Sequence, residues 1–288
     1  MHEPAGIVAN KAMSQSQRIV SQGVRLAQGY DKILEEYFQS SHFQFLPERH
    51  HSSIERLKQW MPLVYLRNRP LVCIDVEAWE RNMQHVTEIG IAIFDPLILE
   101  NTIIPVIKPY HIVIKENMKK INGRFVADNK KHFLGGTSHV LNISDSKQVI
   151  KAVLQKYIRD QQGVLVGHDV LSDIKWLNSI GIHIHPSTPI VDTFKLYHLT
   201  RTSGGSLRGI LRALNIPHGY LHNGANDAYF TLLAAMGLCD PKIRAAKGLD
   251  TFSTEVNVLL SRDKRLRKFT DIATFEHVLN VDDLIAEI

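Results

Sequence analysis

Two acids, Asp75 and Glu77, close the apolar run Leu-Val-Cys-Ile-Asp-Val-Glu at 71–77. In an extended strand, residues i and i+2 point to one face, so both carboxylates stand side by side at the end of a segment otherwise built for burial. Two further acids fall where burial is expected. Asp173 lies on a helical pattern after the strand-like Gly-Val-Leu-Val-Gly, and Asp227 lies in the first turns of the apolar stretch Asn-Asp-Ala-Tyr-Phe-Thr-Leu-Leu-Ala-Ala. An acid near a helix start can be a plain cap or dipole partner, and for Asp227 that reading stands beside a functional one. A cap cannot explain two acids on one strand face. Hard divalent cations can: Mg²⁺ or Mn²⁺ prefers carboxylate oxygens, and two such ions would balance four clustered carboxylates.

The elements that must position these acids follow from period and punctuation. Residues 1–66 read as a helical extension, in which Ser52 and Glu55 have the spacing of a capping box, and Pro70 breaks the pattern. From 71 the period changes to short β-branched runs at 71–76, 86–94 and 102–107, close enough for an antiparallel meander. The basic, Gly-ended stretch 108–136 reads as loop with one short helix. A helix capped by Ser144 or Asp145 follows, then a buried strand at 163–168, a helix stopped by Gly181, a strand over 188–194, and helices over 206–216 and 226–238. Strands followed by alternating helix and strand predict an α/β sheet with helices packed on it. The expected units are 1–66, a main domain over 67–243, and a basic C-terminal extension over 244–288.

Composition bounds the rest. The chain has 288 residues, 44% hydrophobic and 22% charged, as in an ordinary globular protein. No apolar run approaches membrane-spanning length. Cys73 and Cys239 sit in apolar surroundings without metal spacing, which suits reduced thiols in an intracellular, cytoplasmic or nuclear setting. Before Asp31 the sole acid is Glu3, alongside Lys11, Arg18 and Arg25, so a mitochondrial address stays open. The net charge of +5 and pI near 9.1 permit polyanion binding without establishing it.

Taken in order, "IDVEA", "TEIGIAIFD", "GHDVLSD", "VDTF", "SLRGILRALNIP" and "HNGANDAYFTLLA" resemble the DEDDh exonucleases, the DnaQ-like branch of the ribonuclease H-like superfamily. The resemblance covers about 71–238, and the added N-terminal helices are most similar to fungal QIP-like relatives. It implies a ribonuclease H-like α/β fold, a mixed five-stranded sheet flanked by helices with an added N-terminal helical segment. It also implies a two-metal site that removes nucleotides from the 3′ end of single-stranded RNA or DNA. Asp75 would bridge both ions, Glu77 and Asp227 would complete the ion holding the attacking water, and Asp173 would support the site. His222, in a His-x4-Asp motif with Asp227, would take the proton of the water. Two positions depart from the family. Ala78 stands where Thr is usual after the Glu, and Asp169 stands where the second motif usually has Asn. Ala78, Trp79, His168 and Asp169 are the expected substrate contacts, Trp79 by stacking on a terminal base.

Blander readings sit beside these. Trp79 could pack under the following loop, His168 could be a packed neighbour, and His222 is one of 15 histidines. Lys108, Lys115, Lys119, Lys120, Arg124, Lys130 and Lys131, and farther on Arg262, Lys264, Arg265, Arg267 and Lys268, could track phosphates or form a solvated face. The rival function is an exonuclease-like scaffold without catalysis that binds RNA or protein. A second rival is an enzyme with a closed pocket for very short oligonucleotides. The oligomeric state is open, with the N-terminal helices available for a homodimer.

Overall fold

The computed structural model describes residues 29–96, 106–254 and 274–288. Helix α1 covers 29–39 and α2 His50–Tyr65. The remaining elements are β1 Leu71–Trp79, β2 Asn82–Phe94, β3 Ile107–Ile114, β4 Thr137–Leu141, α3 Ile143–Val153, β5 Val164–Gly167, α4 Val170–Ser179, β6 Ile190–Asp192, α5 Thr193–Tyr197, α6 Leu207–Ala213, α7 Gly224–Leu238, α8 Pro241–Ala246, β7 Thr274–His277 and α9 Val281–Glu287. The strands form one sheet in the order β6-β5-β1-β2-β3-β4-β7. β1, β2 and β3 pair antiparallel as the expected meander, and β5 joins β1 parallel.

Alternation along β1 sets the layers. Leu71 and Cys73 enter one buried cluster with α2, α6 and α7, while Val72, Ile74 and Val76 enter another with α3, α4 and α9. A strand buried on both faces reads as a continuous apolar run. Asp75 and Glu77 continue the face of Leu71 and Cys73, toward α7. On that face Gly90 of β2 meets the start of α7. A Cβ there would lie 2.0 Å from the carbonyl carbon of Gly224. No other residue type fits, and this approach seats the helix carrying Asp227 directly on the sheet.

The sheet is mixed and helix-flanked as expected, but it has seven strands rather than five. The third strand begins where the reading ended: 107–114 is β-structure although Pro109 and His111 make it look irregular, and 97–105 lies outside the described residues. Tyr110, Ile112 and Ile114 supply one apolar face, and His111 is a buried polar residue on the other. β4 and β7 went unread because Thr-Ser-His-Val-Leu and Thr-Phe-Glu-His are short and half polar. The run over 188–194 divides into β6 and α5, because Asp192 caps α5 through the amides of Phe194 and Lys195. Ser52 is not a cap: α2 starts at His50, and the Ser52 hydroxyl donates to the Arg49 carbonyl at 3.0 Å. Asn142, rather than Ser144 or Asp145, caps α3.

The N-terminal helices pack into the same core as α7 and the segment after it. Arg244, 1% exposed, donates from Nε to Asp250 at 2.8 Å and to the Tyr37 hydroxyl at 3.0 Å, and from its Nη atoms to the carbonyls of Leu238 and Leu249. His42 reaches the other oxygen of Asp250 at 2.9 Å. The buried charge is therefore fully engaged, as burial requires. The cations at 262–268, and those before residue 29, lie outside the described residues.

Candidate active site

The site lies where β1 outruns its neighbour. β5 pairs with β1 only over Leu71–Cys73, so beyond that point this edge of β1 has no strand partner. The amide of Val76 points out of that edge and donates to Asp173 Oδ1 at 3.1 Å. The sheet geometry therefore brings Asp173, 7% exposed in the first turn of α4, beside Asp75 and Glu77. The register shifts at Glu77 and Ala78, and the strand bends away into the hairpin.

Asp227 arrives from the other side. The N-cap of α7 is Asn223 rather than Asp227, and it accepts the Asn226 amide at 3.1 Å. The Asp227 carboxylate instead accepts the His222 amide at 2.9 Å through Oδ2. Its Oδ1 is buried and, among the described residues, has no hydrogen-bond partner. His222 holds a left-handed backbone with φ 69° and stands exposed at the mouth of the site. Ligand atoms of Glu77, His222 and Asp227 all lie within 4.8 Å of one another.

Burial, and the acids crowded around the site, raise the proton affinity of all four carboxyls. Burial, then the charges of Asp173, Asp227, Glu77 and Glu88, pushes the Asp75 carboxyl well above the usual range. Glu77 rises through burial and then Glu88 and Asp227. Asp173 and Asp227 are each pushed up to about 7, burial being the largest cause. Partial desolvation against the surrounding protein, and then the charge of Arg208, hold the His222 ring below its ordinary value although one side of it is open to solvent. A buried acceptor without a donor, in a group of acids that resist losing their protons, matches the donor set of a hard divalent cation.

Sequence reasoning missed Glu88. It pairs across the strands with Glu77, is 4% exposed, and accepts from His111 Nε2 at 2.9 Å. Nδ1 of His111 is bonded to the Ser138 hydroxyl at 2.7 Å. The signal was available: a lone acid inside the apolar run Val-Thr-Glu-Ile-Gly-Ile, two residues before the contact glycine. Asp128, whose charge reaches Glu77, carried no such signal.

The expected substrate contacts are placed around this centre rather than in it. Ala78 is buried, and its carbonyl accepts Asn122 Nδ2 at 3.1 Å. Trp79 is half-buried, with its indole N–H donated to the Ile121 carbonyl at 3.3 Å. Asp169 occupies the N-cap position of α4 without a side-chain cap bond, in a left-handed conformation at φ 56°, which Asp and Asn both tolerate. Its carboxylate accepts the Ser172 hydroxyl at 3.0 Å. The Thr193 hydroxyl donates to the Gly167 carbonyl, so it accepts from His168 Nδ1 at 3.0 Å, leaving Nε2 of His168 as an acceptor.

A fold and a site of this kind define a class. The family model described as DEDDh, DNA polymerase III subunit epsilon-like, C-terminal domain, matches residues 70–238, more than half of the chain, and the chain belongs to this exonuclease-like family. Its relatives include fungal proteins. It is 31% identical to the Saccharomyces cerevisiae "Good for full DBP5 activity protein 2" over 91% of this chain and 52% of that one. It is 34% identical to the "Uncharacterized protein YDR514C" of the same yeast, over 75% of this chain and 51% of that one. It is 31% identical to the Schizosaccharomyces pombe "Uncharacterized nucleolar protein C2C4.08", over 55% of this chain and 64% of that one. The chain spans about half the length of the first two relatives. A solved structure of exonuclease I matches 62% of this chain and 43% of its own, at TM-score 0.39 and 12% identity. Among the described residues, no helix is long and apolar enough to cross a membrane.

Proposed function

We propose that this chain is a metal-dependent 3′-5′ exonuclease that hydrolyses single-stranded RNA or DNA to nucleoside monophosphates. The observation that carries the reading is the carboxylate cluster of half-buried Asp75 and Glu77 with buried Asp173 and Asp227, and the orphaned Asp227 Oδ1. Asp75, Glu77, Asp173 and Asp227 would hold two divalent ions, Mg²⁺ or Mn²⁺. When bound, such ions supply an activated water and charge relief at the leaving oxygen.

The remaining steps belong to the chain itself. His222 is the base. Held below its ordinary value, its imidazole is neutral at pH 7 and can accept a proton from the attacking water. Its amide, bonded to Asp227, fixes the loop so that the ring stays at the mouth of the site. The closed end of the β1–β2 hairpin, at Ala78 and Trp79, would meet the terminal nucleotide and exclude water behind it. Incubating the protein with a 5′-labelled 20-mer and Mg²⁺ or Mn²⁺ tests the reading: a descending ladder supports it, and an intact strand refutes it.

A second reading has one observation in its favour. A relative is named for the full activity of another protein, DBP5, which suits a scaffold without turnover. Tight single-strand binding without cleavage at any metal concentration would select it. The name of the fission-yeast relative, a nucleolar protein, makes the nucleolus the first compartment in which to look for this protein.

A further inference from the structure

Between β3 and β4 the chain crosses the mouth of the site in a strap, residues 115–136, with little regular structure. Ordering so long a segment costs conformational entropy that specific bonds must offset. The bonds are present at both ends of the site. On the β1–β2 side, the Glu80 carboxylate accepts the amides of Arg124, Phe125 and Val126 at 2.9, 2.9 and 3.2 Å. Asn122 donates to the Ala78 carbonyl and accepts the Glu80 amide. On the His222 side, Asn129 donates to the Leu221 carbonyl at 2.6 Å, and Asn223 donates to the Asn129 carbonyl at 3.1 Å. The strap is thus tied to both segments that carry site residues, Glu77 and His222.

What it presents outward differs from an ordinary surface loop. Ile121 is 66% exposed and Phe125 is 74% exposed. The Arg124 guanidinium lies 5.0 Å from the Phe125 ring centroid, and that of Arg81 lies 6.0 Å from Trp79. The strap holds six Lys and Arg residues against Glu116 and Asp128. Both acids, with Glu80, are turned to backbone amides: Glu116 to Ile143 and Asp128 to Asn122. The acids are spent on amides while Lys115, Lys119 and Arg124 stand at the surface. Aromatic rings standing among cations suit unpaired bases and their phosphates, and a paired duplex offers no free base face to them.

We propose that the crest of this strap, Ile121, Arg124 and Phe125, is the platform on which single-stranded nucleic acid lies just upstream of its 3′ end. The proposal rests on the exonuclease reading and adds where the body of the substrate is held. Contacts of this kind reach nucleotides beyond the last two, so long strands gain from them and dinucleotides do not.

The test uses the full chain with Phe125→Ala and Arg124→Ala. Both leave the backbone amides that Glu80 holds, and unchanged thermal unfolding confirms the fold. Binding of a fluorescent 12-mer is followed by anisotropy on an Asp75→Asn background, which blocks cleavage. Phe125→Ala is expected to weaken the 12-mer about tenfold, within the range for losing one stacked base. Arg124→Ala is expected to lower the slope of log affinity against log salt by about one. With the otherwise wild-type protein, Phe125→Ala should raise KM for the 12-mer and leave dinucleotide turnover unchanged. If the protein degrades single strands but neither substitution alters 12-mer binding, the platform is wrong and the exonuclease reading stands. If nothing is cleaved but 12-mer binding falls as stated, the platform stands without the nuclease. A 12-mer that does not bind at low salt overturns the platform, and the crest is then a surface for a protein partner.

Discussion

Removing one charge from the acidic cluster should stabilise the metal-free protein above neutral pH. Asp227 moves from 3.8 to about 7 in the folded chain. An acid whose folded value is raised takes up its proton more readily in the native state. Its penalty is absent below about pH 4, grows as pH rises to about 7, and is constant above. Each tenfold change in proton affinity is worth about 1.4 kcal/mol, so this carboxyl carries a penalty of about 4 kcal/mol at pH 8. Asp227→Asn keeps the acceptor for the His222 amide and loses the charge. The bond it keeps is weaker, by about 1 kcal/mol, so the net gain is about 3 kcal/mol. The assay is urea unfolding in chelator at pH 5 and pH 8. The wild type should lose stability between the two, and Asp227→Asn should lose about 3 kcal/mol less, the other three acids keeping their share. Millimolar Mn²⁺ should then restore the wild type and do little for the variant, because a ligand that binds only the folded state stabilises it by mass action. Equal pH slopes for the two proteins would refute the reasoning.

Four further outcomes follow from the same structure. Gly90→Ala would drive a Cβ to 2.0 Å from the Gly224 carbonyl carbon, so α7 must shift; exonuclease activity should be lost and the melting temperature should fall. Arg244→Met leaves Asp250 buried without its cation, at about 3–5 kcal/mol, read by chemical denaturation. Glu88→Gln keeps the side chain's shape but weakens its bond to His111; metal-binding calorimetry should show altered affinity if its charge acts on Asp75 and Glu77. His222→Ala should lose rate at neutral pH and regain part of it at high pH, where hydroxide is plentiful; a loss equal at all pH values would make His222 structural.

The centre of this molecule was legible because its chemistry contradicts its surroundings. Asp75 and Glu77 interrupt an apolar strand, and their shared face follows from the β period alone. Gly181 was legible as a helix stop because its φ of +79° suits glycine. The edges were not. β4 and β7 are held by neighbours on the sheet rather than by their own pattern, and β3 was hidden by His111, whose burial makes sense only once Glu88 and Ser138 are seen beside it. Asp169 and His168 read as site residues, and each also has a structural partner, Ser172 for one Asp169 oxygen and Thr193 for His168 Nδ1, that spacing does not reveal. The strap was read as a basic loop. Its role as a tethered wall depends on Glu80 and Asn122 meeting across more than 40 residues of chain, which no local pattern encodes.

The four clustered carboxylates, Asp75 and Glu77 half-buried and Asp173 and Asp227 buried, are proposed to build a hydrolytic site for 3′ ends. The most direct measurement follows a 5′-labelled single-stranded 20-mer with Mn²⁺, for the wild type and for Asp75→Asn. The wild type should give a ladder that shortens stepwise from the 3′ end, and Asp75→Asn should leave the strand intact while unfolding at no lower temperature. A circular strand cut as fast as the linear one, or a variant that degrades the 20-mer at the wild-type rate, would contradict it.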